Sequence, residues 1–232
     1  MFGWRGEGAG GVGVAFTALP TDLGDAQDPR ARTEQFTAVS TVLGVPIAVT
    51  RQVHGASVLA VTAPTAVPAL VDHTDVDADV LVTTQPGLGV AVRVADCVPV
   101  LMASRDGRAV AAVHAGRAGL LVGAIGAAAE ALGERSAAPL VAWVGPHICG
   151  ACYEVPDSLA ESASARLGVP VVRTRWGTNG IDLGAATHRQ LAAVGATVVD
   201  CSACTLTTAT LPSHRRDGGT ARAAGIIWRG LA

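Results

Sequence analysis

The sequence predicts an α/β or α+β protein built on mixed sheets. Apolar, β-branched runs and helical segments are interleaved along the whole chain. Some runs are joined by turn-rich links such as SRDGR (104–108), which makes antiparallel neighbours. Others are separated by a helix long enough to return the chain in parallel.

The elements follow in order. GVGVAFTALP (11–20) is a first strand. The glycines precede it, whereas a dinucleotide fingerprint needs strand, then glycines, then helix. Residues 28–44 make a helix, with Asp28 as N-cap, Pro29 in the first turn and Gly44 at the end. Runs 46–55 and 57–64 are β-rich around a turn, and 67–87 goes from loop into strand. Residues 89–102 and 108–116 are two strands across the Asp-Gly turn, so 91–102 reads as one buried strand with Asp96 and Cys97 inside it. A small-residue helix covers 119–134, and 139–156 is a strand running into a turn-rich loop. Helices are expected over 157–168, capped by Asp157, and over 182–195. Residues 196–206 form a strand plus loop, and 221–230 a last strand. No linker or fixed-period repeat divides the chain, so residues 1–232 are expected to form one domain.

Composition narrows the function. Half of the 232 residues are apolar and the net charge is −2, so no basic field draws nucleic acid or anionic lipid. All 17 basic residues are arginine, which excludes lysine chemistry. Five scattered cysteines, an odd number, favour a reduced, cytoplasmic protein over a disulfide scaffold. No signal-like segment and no run of about 18 apolar residues is present, so no membrane partner is expected.

Three residues have metal-ligand character in matching positions. His54 ends AVTRQVHG, Cys97 interrupts VRVADCVPV, and His114 ends AVAAVHAG. Cys97 and His114 lie across one expected hairpin, where strands about 4.8 Å apart let side chains converge. Two imidazoles and a thiolate suit Zn(II), or copper in another geometry, and three ligands leave a fourth position open. Asp96 and nearby loop carboxylates are placed to orient a ligand histidine from behind. Spacing alone leaves a packed thiol and two satisfied histidines as the alternative.

Other features are read as ordinary. Cys201 and Cys204 have CxxC spacing late in the chain, and Cys149 and Cys152 repeat it. The distance between the pairs is far longer than in a zinc ribbon, so ordinary thiols are expected. The acidic stretch 72–80 lacks the Gly and Glu of a calcium loop and is expected to be a solvated loop. His73 and His188 are expected at the surface.

RQVHG, DADVLVTTQPGLGVAVRVADCVPVLM, AAVHAG, WVGPHICGACYEV and HRRDGGTARAAGIIW stand in the order of the laccase-domain family. Over roughly residues 10–230 the chain resembles that family, whose members have been described as multicopper polyphenol oxidases and as purine nucleoside phosphorylases. The resemblance implies a four-layer α/β/β/α sandwich, similar to the catalytic domain of cytotoxic necrotizing factor toxins. It implies zinc on His54, Cys97 and His114; Cys97 and His114, with the neighbouring Asp96, are the expected catalytic residues. It also implies phosphorolysis of adenosine or inosine to base and ribose 1-phosphate, with adenosine deamination and methylthioadenosine phosphorolysis as companions.

The expected partners are a purine nucleoside and phosphate, on a monomer or small homo-oligomer. Arginine forks match phosphate, so Arg51, Arg117, Arg215 and Arg216 are the anion-binding candidates, with His147 beside them. Asp96 and Glu154 are candidate proton shuttles. The chain departs from the family at HAGRAG, where Arg117 and Ala118 replace Trp and Arg. Two alternatives stay open: a copper phenol oxidase, and a metal-free Cys97–His114 hydrolase or amidase acting on cell-wall precursors. Copper oxidation needs His-X-His pairs, and none stands among the six histidines.

Overall fold

Two six-stranded sheets stack face to face in a computed structural model that describes residues 1–230 apart from 26, 64, 65 and 67. The first sheet is ordered β1 (Phe2–Gly8), β2 (Val12–Thr17), β14 (Ala223–Arg229), β7 (Gly89–Val94), β3 (Ile47–Arg51), β5 (Leu70–Asp77). Its first four strands pair antiparallel, and β3 runs parallel to β7 and β5. The second is ordered β13 (Thr197–Asp200), β10 (Leu140–Val144), β8 (Val98–Ser104), β9 (Val110–Ala115), β6 (Val80–Thr83), β4 (Val58–Ala60). Its two edge pairs are parallel and its inner pairs antiparallel. The mixed sheets are those the sequence predicts.

Helices close the outer faces. Phe36, Val39 and Leu43 of α1 (Pro29–Leu43) pack on Ile47, Val49, Ala91 and Ile226 of the first sheet. Between the sheets, Val14, Phe16, Val90 and Val92 meet Leu81, Leu101, Val110 and Ala112. Beyond the second sheet lie α2 (Arg117–Leu121), α3 (Ala124–Gly133), α4 (Asp157–Leu167) and α5 (Leu183–Ala193). Strand β8 shows why its sequence is apolar throughout: Val98, Val100 and Met102 face the helices, while Leu101 and Ala103 face the other sheet. Burying one such leucine contributes about 1.5–3 kcal/mol. The order is helix, sheet, sheet, helix, and a short ribbon pairs β11 (Val172–Arg173) with β12 (Asn179–Gly180). Among the described residues, no helix is long and apolar enough to cross a membrane.

Helix α1 starts and stops where its sequence says. Asp28 accepts from the amides of Arg30 and Ala31, and Gly44 ends the helix at φ 75°. Asp182 caps α5 by accepting from Ala185. Asp157 does not cap α4; it lies inside the first turn and accepts from Asn179. The expected helix 119–134 is broken at Gly123, whose φ of 87° separates α2 from α3. Strand β1 is an addition that the glycine-rich start concealed. The run 57–64 yields β4 alone, and its last residue, 64, lies outside the described residues.

The main correction concerns residues 91–102. They are not one strand: β7 belongs to the first sheet and β8 to the second, and the chain crosses between them at 95–97. Two similar crossings join β3 to β4 through 52–57 and β5 to β6 through 78–79. The acidic stretch 72–80 is correspondingly a strand followed by a crossing, not a solvated loop.

Candidate metal centre

The three crossings meet beside the end of β9. Register fixes this: Val98 at the start of β8 faces Ala115, Val80 at the start of β6 faces Val113, and Val58 of β4 faces Val80. His54, Asp79 and Cys97 each sit on one crossing, and His114 sits on β9 among them. The metal-binding atoms of His54, Cys97 and His114 all lie within 4.8 Å of one another. The two imidazole rings are 4.7 Å apart and edge-on.

Asp79 builds this group, although the sequence marks it only as one of several loop carboxylates that could orient a ligand histidine. Its fully buried carboxylate accepts the amides of Val53 at 3.1 Å, His54 at 2.9 Å and Gly55 at 2.7 Å. That cradle holds His54 at a φ of 62°, a left-handed conformation uncommon outside glycine. The same carboxylate lies 2.7 Å from Nδ1 of His114. An Nδ1–H donated to Asp79 leaves Nε2 of His114 for the cluster. Burial pushes the Asp79 carboxyl up, but His114 and the Gly55 and Val53 amides hold it below the usual range.

Charge follows the geometry. Burial pushes the Cys97 thiol up, and hydrogen bonds with His114 and His54 overcome this, lowering it to about 6. Burial pushes the His114 imidazolium down, and Asp79 and Cys97 overcome that, raising it to about 9. Cys97 and His114 therefore favour a thiolate beside an imidazolium.

The donor set fits a zinc-class ion. Two imidazole nitrogens and one thiolate are borderline-soft ligands, close enough to be drawn onto bonds of about 2.0–2.3 Å. Gly116 keeps the space clear: a Cβ there would lie 2.9 Å from both Cys97 Sγ and His54 Cδ2.

The group lies in a cleft of about 540 Å³, whose walls include Gln52, Arg93, Tyr153, His214, Arg215 and Arg222. The Arg215 guanidinium stands 5.1 Å from the Tyr153 ring, and its Nη1 donates to the Glu154 carbonyl. Buried Arg93 is matched by Asp25 and by the Thr50 carbonyl. Arg93, Arg222 and Tyr153 were not among the sequence candidates, because nothing in their local pattern marks them.

The structure redistributes the other candidates. Asp96 lines the cleft, but its carboxylate is turned to the 205–215 segment rather than to His54 or His114. Its Oδ1 accepts from Thr205 at 2.6 Å and Ser213 at 2.7 Å, and its Oδ2 from the Arg215 amide at 2.7 Å. It holds a φ of 83° and ties the 205–215 segment to the β7–β8 crossing. Arg51 is exposed at the end of β3, paired with Asp77 outside the cleft. Arg117 opens α2 in an adjoining groove that shares Tyr153 and Arg215 with the cleft. Arg216 donates to the carbonyls of Thr205, Thr208 and Leu211, so it organises its own loop.

His147 is buried against the Gly145 carbonyl at 2.9 Å, away from the cleft. Glu154 accepts from Thr178 and likewise lies outside the cleft. His188 is half exposed near Asp200, while His73 is only partly exposed.

Comparison with known proteins agrees with this architecture. A purine nucleoside phosphorylase of Streptomyces coelicolor is 38% identical, over 98% of this chain and 94% of its own. One from Corynebacterium glutamicum is 36% identical, over 95% and 91%. The crystal structure of a Neisseria meningitidis protein superposes with a TM-score of 0.81 at 26% identity, covering 98% of this chain and 99% of that one. A Geobacillus stearothermophilus protein shares the fold with a TM-score of 0.73, covering 95% and 93% at 24% identity. Residues 5–230 match the family described as multi-copper polyphenol oxidoreductase laccase, and the chain belongs to that family.

Proposed function

We propose that this chain is a zinc-dependent purine nucleoside phosphorylase, converting adenosine or inosine and phosphate into free base and ribose 1-phosphate. The observation that carries the reading is the His54–Cys97–His114 group in a cleft walled by Arg215, Arg222 and Tyr153. Its relatives named purine nucleoside phosphorylase support the substrate class. Zinc rather than a set of coppers suits six histidines with no His-X-His pair.

Bound zinc supplies a Lewis acid that polarises an oxygen or nitrogen of the substrate. The chain's own groups do the rest. Arg215 and Arg222 bind the phosphate anion, for which guanidinium forks are suited. The Tyr153 ring gives the flat base a face to lie on. Asp79 keeps His114 in one tautomer. The buried carboxylates Asp79 and Asp96 are both committed to hydrogen bonds. Deamination needs a carboxylate free to carry protons, and the remaining cleft carboxylate, Asp25, is paired with Arg93 and Arg32, so phosphorolysis is favoured over adenosine deamination; methylthioadenosine phosphorolysis uses the same groups.

One observation favours a second reading. Cys97 lies within 4.8 Å of His114, whose Nδ1 is 2.7 Å from Asp79, a series that matches a cysteine nucleophile, its base and the group orienting the base. Without metal this series would serve a hydrolase or amidase acting on cell-wall precursors.

Turnover of adenosine and inosine, with and without phosphate, decides between them. Phosphate-dependent turnover that disappears together with zinc in Cys97→Ala is expected. Full phosphorolysis by a metal-free Cys97→Ala protein overturns the proposal. Hydrolysis of a precursor by metal-free wild type, blocked by alkylating Cys97, replaces it with the second reading.

A further inference from the structure

The cysteines that the sequence leaves as ordinary thiols do not stay apart. Cys149, Cys152 and Cys204 bring their sulfurs within 4.8 Å of one another, and none of the three lines the cleft described above. Cys201, the partner of Cys204 in CSAC, packs instead against the core between the sheets. Three of the four CxxC cysteines thus converge, although the two pairs lie too far apart in sequence for a ribbon.

The backbone is arranged for this. Cys149 opens a tight turn, its carbonyl accepting from Cys152 at 2.9 Å and from Tyr153 at 3.0 Å. A turn of this spacing aims two sulfurs at one point. The Cys204 segment is laid beside it by a bridge: the His147 amide donates to the Ala203 carbonyl, and the Thr205 amide donates to the His147 carbonyl. The Cys149 amide donates to Cys204 Sγ at 3.5 Å, a contact that favours a thiolate there. Cys152 also lines a groove with Arg215 and Arg216.

We propose that Cys149, Cys152 and Cys204 form a second metal centre that takes one thiophilic cation of the zinc class on three sulfur donors. Sulfur donors select this class over hard cations. Binding releases to solvent whatever protons the thiols still carry, and three sulfur donors would leave a fourth position to water. A disulfide is the competing chemistry, but pairing any two of these thiols strands the third.

The centre has a structural consequence for the cleft. Ile148, just before Cys149, donates its amide to the Asp96 carbonyl at 3.0 Å. Thr205, just after Cys204, donates to the Asp96 carboxylate at 2.6 Å. An ion on the three sulfurs therefore staples the two segments that grip the residue next to Cys97. The centre positions; it does not touch the cleft group itself.

The test is zinc content of the purified full chain, reconstituted with zinc under a reductant. Two zinc ions per wild-type chain are expected, one in Cys204→Ser and one in Cys97→Ala. A single ion kept by Cys97→Ala and lost in Cys204→Ser keeps this centre and removes only the His54–Cys97–His114 assignment. A single ion lost in Cys97→Ala and kept in Cys204→Ser overturns the second centre. So does a Cys149–Cys152 cross-link, seen as a two-hydrogen loss in the intact mass of protein held under reductant. Wild-type protein gives a reading independent of variant folding. Cys149, Cys152 and Cys204 should resist a maleimide when zinc-loaded and react after chelation; equal labelling in both states overturns the proposal.

Discussion

Oδ1 of Asp79 lies 2.7 Å from Nδ1 of His114, and the same carboxylate holds three consecutive amides of the His54 turn. One side chain thus sets the direction of one ligand and the backbone of another.

Asp79→Asn should weaken zinc binding by about 10–100-fold, the usual effect of losing a group that orients a ligand. An amide turns one acceptor into a donor facing backbone N–H groups. Competition with a chromogenic chelator measures this. An unchanged affinity in a folded variant would mean that Asp79 is a bystander.

Gly116→Ala tests space without backbone strain. The φ of −76° at Gly116 accepts any residue, so the only new feature is a Cβ 2.9 Å from Cys97 Sγ and His54 Cδ2. Crowding of this kind costs about 1–3 kcal/mol. The variant should fold but lose zinc and turnover. Full zinc content with wild-type kinetics would show that the neighbours yield easily.

Asp96→Ala and Asp96→Gly separate hydrogen bonding from backbone strain. Both remove three bonds to a charged acceptor, each worth about 1.5–3 kcal/mol. Glycine tolerates the φ of 83°, so it should be the more stable of the two, by about 1 kcal/mol. Urea unfolding gives the comparison. Alanine equal to or better than glycine would refute a strained conformation at this position.

In metal-free protein, Cys97 should alkylate with a pH midpoint of about 6, because its thiol is lowered. An ordinary cysteine shows a midpoint near ~8.5. The thiolate thus predominates above pH 6 and is lost as pH falls below it. Peptide-level mass spectrometry across pH reads this at Cys97 alone. A midpoint at the ordinary value would mean that the imidazoles do not contact the thiol.

Much of this was legible in the sequence, for identifiable reasons. Asp28, Pro29 and Gly44 carry local signals, and α1 obeys them. His54, Cys97 and His114 stand out because thiol and imidazole groups interrupt apolar runs. What was hidden is non-local. Residues 91–102 read as one strand because both halves are buried, and nothing in VADCV announces that the chain changes sheets there. Asp79 looked like one more member of an acidic stretch, since pattern cannot tell a buried carboxylate holding amides from a solvated one. Arg93 and Arg222 reach the cleft through tertiary packing alone. Cys149, Cys152 and Cys204 were judged by sequence distance, which the pairing of 147 with 204 cancels.

The shortest passage between the sheets, residues 78–79, contains Asp79 and has no slack. Inserting a residue there would reverse which face every side chain of β6 presents and also carry the carboxylate off its amides. This crossing should therefore be intolerant of length change, whereas a residue added at the exposed Arg105–Asp106 step of the β8–β9 turn lies at the opposite end of those strands from the centre. A scan of single-residue insertions along the chain would trace the centre's outline before any ligand is bound.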